Sequence, residues 1–171
     1  VSKFLSALDR NLERWALLFF YVLLVVTMAV EVIRREVFAY SSIWGEELVR
    51  YAFIYLVWIG AASAVRERGH IRIDVLMHYL GVRAKAALYI FGDLVMAAVA
   101  LIALYWSFET VLVSLKFGSV SAGLRVSMVW FLMAVPVGFT IMLWRLIQSL
   151  ARDFKSFRDG TPVYEGDTLF D

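Results

Sequence analysis

Carboxylates buried in apolar sequence are the residues of this chain that could do chemistry, and they are few. Glu31 closes a long apolar run and has Arg34 and Arg35 three and four positions later. Asp93 interrupts a second apolar run, residues 86–108, roughly 10 Å from its start at 1.5 Å per helical residue. An ionisable group at that depth is costly in hydrocarbon, so ion or proton coupling is the first chemistry to weigh. For Glu31 the two arginines point instead to a carboxylate paired locally at a membrane edge. Asp93 has no basic residue within its run. It reads as a structural contact to Ser63, to Arg66 or to a partner subunit. His70 and His78 lie in polar sequence and read as solvated or interfacial side chains, not metal ligands.

Other chemistries lack their residues. The chain has no cysteine, which excludes disulfides, thiol redox chemistry and thiolate metal sites. No nucleophile–base pair or glycine-rich phosphate loop stands out, and a haem bundle would need histidines facing each other inside spans. The sequence predicts no enzyme, no metal and no cofactor on this chain. A formal charge of +2 is too small to suggest a nucleic-acid partner.

The elements that must hold these residues are membrane spans. Of 171 residues, 62% are hydrophobic, more than a soluble domain of this size carries. Apolar runs predict four transmembrane helices near residues 15–33, 47–65, 86–108 and 126–144, forming one membrane domain over residues 1–158. Residues 159–171 carry Glu165, Asp167 and Asp171 among turn formers and read as a disordered acidic tail. No internal repeat, second domain or cleavable signal peptide is expected. The fold class is therefore an all-α integral membrane protein with short amphipathic interfacial helices.

One such helix is expected before the first span, where Phe4, Leu5, Leu8, Leu12 and Trp15 share a face. The cytoplasmic end of one long tilted helix would explain that pattern equally well. A second is expected at Ile73, Leu76, Met77 and Leu80. Serine in the connection at Ala39–Ser42 suits a cap for the second span. Pro136 and Gly138 sit near the middle of the fourth span, where a proline predicts a kink.

Orientation follows from lysine and arginine. Twelve lie in the N-terminal segment, the loop between spans two and three, and the C-terminal segment, against five in the other two loops. The positive-inside rule then places both termini in the cytoplasm.

The second span carries most of the candidate contact residues. Glu46 and Glu47 open it, Glu46 four residues before Arg50 in the favourable order for an ion pair. Glu109 reaches the same membrane edge from the third span and is another candidate partner for Arg50. Gly60, Ala61 and Ala64 form a small-residue face that another helix can approach closely.

Trp44, Glu46, Glu47, Arg50 and Tyr51, then Gly60 and Ala61, then His70, Ile71 and Asp74, followed by Pro136 and Gly138, resemble a family signature. It is that of the small, DctQ-like membrane subunit of tripartite ATP-independent periplasmic (TRAP) transporters. The resemblance covers nearly the whole chain in length, span number and orientation. It implies a large multi-span subunit that carries substrate and sodium ions, and a periplasmic binding protein that delivers an organic acid such as a dicarboxylate or sialic acid. Membrane lipids complete the expected partners. The small subunit is then a scaffold that braces the large one. Two other readings stand beside it: a self-sufficient ion-coupled transporter using Asp93 and Glu31, and an anchor or assembly subunit of another complex.

Overall fold

The computed structural model describes residues 2–40, 42–66 and 81–162. Among them are five helices: α1 (Ser2–Phe38), α2 (Ile43–Arg66), α3 (Val82–Phe117), α4 (Val129–Leu132) and α5 (Ala134–Asp159). The β structure in this part of the chain is one isolated antiparallel bridge, Val120 to Ser127. Four stretches are long and apolar enough to cross a membrane: Glu13–Phe38, Ile43–Val65, Val82–Phe117 and Val129–Asp159. The described residues thus form an all-α fold with four helical stretches of membrane-spanning length and composition.

The helices differ in extent from the apolar runs. α1 continues without a break from the amphipathic N-terminal segment, so the long-helix alternative describes it. Its 37 residues rise about 56 Å, and the 36 of α3 about 54 Å, against about 30 Å of hydrocarbon. Both must tilt or project beyond the bilayer. The expected amphipathic helix at Ile73–Leu80, with His70, Asp74 and His78, lies outside the described residues, as does the acidic tail from residue 163.

Pro136 does not kink a span at mid-length. The helical run breaks at Met133, and Pro136 falls in the first turn of α5, where no intrahelical partner awaits its missing N–H. Residues 126–128, expected to open the fourth span, instead pair back across the preceding loop. The Ser121 amide donates to the Val126 carbonyl at 2.8 Å and the Met128 amide to the Ser119 carbonyl at 2.9 Å.

Two helix ends are closed by glycine. At Gly118, with φ +59°, the Gly118 and Ser119 amides return to the Leu115 and Ser114 carbonyls at 3.3 and 3.2 Å. That double bond back into the last turn needs the left-handed conformation that glycine adopts without penalty. Gly160 ends α5 in the same conformation. α1 ends at Ala39 with φ 49°, a left-handed residue held without glycine's freedom.

The chain divides into two compact units, one formed by the described parts of Val1–Gly60 with Tyr105–Gly138, the other by Ala61–Leu104 with Phe139–Asp171. In the second, Ala62, Val65, Ala100, Met142 and Leu146 form the buried core, flanked by Met96, Ala97 and Phe139. Ala62 and Leu146 have no exposed surface at all. Alanines at 62, 97 and 100 let α2, α3 and α5 approach closely, which matters where lipid removes the ordinary hydrophobic drive for helix association. Of the expected small-residue face, Ala61 packs against this core and Gly60 and Ala64 are half-buried, while the neighbouring Ala62 is fully sealed.

Candidate scaffold site

The polar residues of the first unit form two clasps, each built on a glutamate. Glu31, in the last turns of α1, reaches the start of α2. The Ser42 amide donates to its Oε2 at 3.2 Å, the Ser42 hydroxyl donates to its Oε1, and Arg34 pairs with the same oxygen at 3.4 Å. Arg34 also lies over the rings of Tyr40 and Trp44, 4.9 and 5.3 Å from their centroids. A guanidinium held between a carboxylate and two aromatic faces is satisfied without full hydration. Gly45 completes the clasp, since a Cβ there would overlap the Glu31 carboxylate. The expectation of a locally paired Glu31 is met through Arg34. Ser42 does precede α2, but its hydroxyl is spent on Glu31.

The second clasp ties α2 to the loop after α3. Glu47 Oε2 accepts the amides of Gly123 at 2.9 Å and Leu124 at 2.7 Å, while the Tyr51 hydroxyl donates to Oε1 at 3.0 Å. Hydrogen bonds to an ionised acceptor are the stronger kind, and here one carboxylate serves two otherwise unpaired loop amides. Gly123 is required by proximity: a Cβ would sit 2.7 Å from Glu47 Oε2 and 2.9 Å from the Ile43 backbone. Arg125, at φ 51°, is the strained residue of the same loop.

Two tyrosines one turn apart extend the tie into α4. The Tyr51 ring lies 5.0 Å from Phe131, and the Tyr55 hydroxyl donates to the Trp130 carbonyl at 2.6 Å. Phe20 of α1 stacks on Tyr55 at 5.0 Å, with the rings 8° from parallel. Where α5 begins, Gly138 meets Trp58 so closely that a Cβ would fall 2.6 Å from the Trp58 Cβ. Together these bonds and contacts hold α1, α2, the 118–128 loop and α4 in one register.

Both oxygens of each glutamate are engaged, so neither stands free as a base or a coupling acid. Glu46, Arg50 and Glu109 are exposed. Glu46 and Arg50 form no ion pair among the described residues, so the expected pair is not made, and Glu47 is occupied by the loop. Asp93 is half-buried on α3, its Oδ2 buried and without a hydrogen bond. His70, Asp74 and the Arg66 side chain lie outside the described residues.

Several partners were not picked out from sequence. Gly45 and Gly123 act through what a side chain would displace, which no spacing announces. Trp58 facing Gly138 is of the same kind. The buried polar stripe Arg145, Ser149 and Asp153 on α5 did leave a signal, its spacing of four, hidden in a segment dominated by basic residues.

The clasps and the Pro136–Gly138 segment fall inside residues 22–156, which match the family described as tripartite ATP-independent periplasmic transporters, DctQ component. The chain belongs to the DctQ family. The family is one of transporter components, not enzymes. Among individual DctQ-related proteins, the isethionate TRAP transporter permease protein DctMQ of Oleidesulfovibrio alaskensis is 26% identical over 153 residues, 86% of this chain and 24% of that protein. The sialic acid TRAP transporter permease protein SiaT of Haemophilus influenzae is 25% identical over 157 residues, 90% of this chain and 24% of its own length. The sialic acid TRAP transporter small permease protein SiaQ of Vibrio cholerae is 23% identical over 109 residues, 64% of this chain and 62% of that one. This DctQ chain thus spans about a quarter of the first two relatives, 24% in each case.

Proposed function

We propose that this chain is the small scaffold subunit of a sodium-coupled, binding-protein-dependent importer of an organic acid. A large multi-span subunit carries substrate and sodium, and a periplasmic protein delivers the substrate. Both termini are cytoplasmic, and the clasped end of the first unit faces the periplasm of an inner membrane. The names of the relatives, which mention sialic acid and isethionate, support an acidic organic solute.

The observation that carries the proposal is the use of the two glutamates. An autonomous transporter would keep its carboxylates free to bind and release ions, whereas Glu31 and Glu47 are consumed in holding helices and a loop together. A brace needs that rigidity. It also needs an outer apolar surface for another subunit, and α3 exposes Leu94, Val99 and Ile102. Co-purification tests the assembly directly: an affinity tag on this chain should retain a hydrophobic protein of about a dozen spans from native membranes. Recovery of the tagged chain without such a protein would contradict the proposal.

A further inference from the structure

Along α1 runs a cleft that the scaffold role leaves unused. Its wider part, of about 640 Å³, is lined by Arg14, Trp15, Leu18, Tyr21 and Leu56. A second hollow of about 450 Å³ shares Trp15 and Leu18 and extends the wall through Val22 to Val26. From Arg14 to Val26 is about 18 Å of helical rise, close to the roughly 15 Å of hydrocarbon in one leaflet. Arg14 is exposed at one end and forms no ion pair among the described residues. Glu13 beside it is 5% exposed and is not part of the cleft wall. Trp15, 67% exposed, sits beside the charge, and everything beyond is apolar except the Tyr21 hydroxyl. The order is cation, amphipathic ring, then an apolar channel one leaflet long, which matches a phospholipid read from headgroup to acyl chain.

We propose that this cleft seats one phospholipid of net negative charge, its phosphate on Arg14 and one acyl chain along Leu18, Val22 and Val26. The exposed guanidinium, without an ion pair among the described residues, supplies the preference for a net anionic headgroup, since a zwitterionic lipid brings its own cation to compete. The bilayer delivers the lipid, so no further partner is needed. The site does not rest on the transporter assignment.

Native mass spectrometry of the purified, delipidated chain tests the proposal. Titrated with phosphatidylglycerol or phosphatidylcholine, the chain should retain one phosphatidylglycerol at lower lipid ratios than phosphatidylcholine. Arg14→Gln should cost about fivefold in phosphatidylglycerol retention, the size of one basic side chain's attraction to an anionic surface, and leave phosphatidylcholine unchanged. Arg14→Lys should restore most of the preference. Leu18→Trp should fill the cleft and remove the stoichiometric adduct of both lipids. Equal retention by wild type and Arg14→Gln would overturn the assignment. So would a cleft that takes up no lipid and is shielded from a cysteine probe at Leu18 only when the large subunit is co-expressed, because its occupant would then be a protein helix.

Discussion

The carboxylate of Glu47 and the amide of Gly123 meet at 2.9 Å across 76 positions of sequence. That bond fixes the loop after α3 against the N-terminal part of α2, and the Leu124 amide doubles it. Replacing Glu47 with Gln keeps one acceptor oxygen and loses the charge. Glu47→Ala loses both. Amide exchange at Gly123 and Leu124 should therefore quicken about tenfold in Glu47→Gln and more in Glu47→Ala, with the α2 interior at Ala52 and Ile59 unchanged. Uniform exchange across the loop in wild type and variants would show that the clasp does not hold it.

The first clasp makes a prediction about charge reversal. In an ordinary ion pair, swapping the partners restores the attraction. Glu31 also accepts the Ser42 amide and hydroxyl, which an arginine at that position could not do. The swap Glu31→Arg with Arg34→Glu should then remain as damaging as Glu31→Arg alone, judged by folded yield in detergent. Full rescue would reduce the clasp to a simple ion pair.

Glycines separate by what stands over them. At Gly138 a Cβ would lie 2.6 Å from the Trp58 Cβ, so Gly138→Ala should destabilise by about 1–3 kcal/mol through overpacking. At Gly92, inside the N-terminal third of α3, nothing lies within 4 Å, and Gly92→Ala should be neutral or stabilising by about 0.5–1 kcal/mol. Thermal unfolding of the isolated chain in detergent reads both. The same sign at both positions would contradict the close approach of Trp58.

Arg50 is exposed and unpaired among the described residues, although it opens the second span beside two glutamates. The proposed large subunit is then the expected source of a partner for it. Arg50→Glu should weaken recovery of the large subunit while leaving this chain folded, and Glu109→Arg should give no rescue. Rescue by Glu109→Arg would return the partner to α3.

The span count and class of fold were legible because hydropathy and length act over whole helices and tolerate local error. Glu31 was read correctly as locally paired because Arg34 stands one turn away. Glu47 was read only as one of two acids opening the second span for the complementary reason: its real partners are backbone amides far along the chain, and an amide has no letter of its own. Pro136 was placed by its distance along an apolar run, whereas the run includes a loop segment that pairs with residues 119–121. Apolar composition could not separate the two. Gly45, Gly123 and Gly138 were invisible as contacts because each is defined by a neighbour's position.

Transport by reconstituted protein bears most directly on whether this chain is a scaffold. In proteoliposomes with an inward sodium gradient, the chain alone should give no uptake of a sialic acid or a small sulfonate. Uptake should require the large subunit and the binding protein together, and should fall when this chain is omitted. Concentrative uptake by this chain alone, abolished by Asp93→Asn, would contradict the scaffold account and make the half-buried acid of α3 a coupling site.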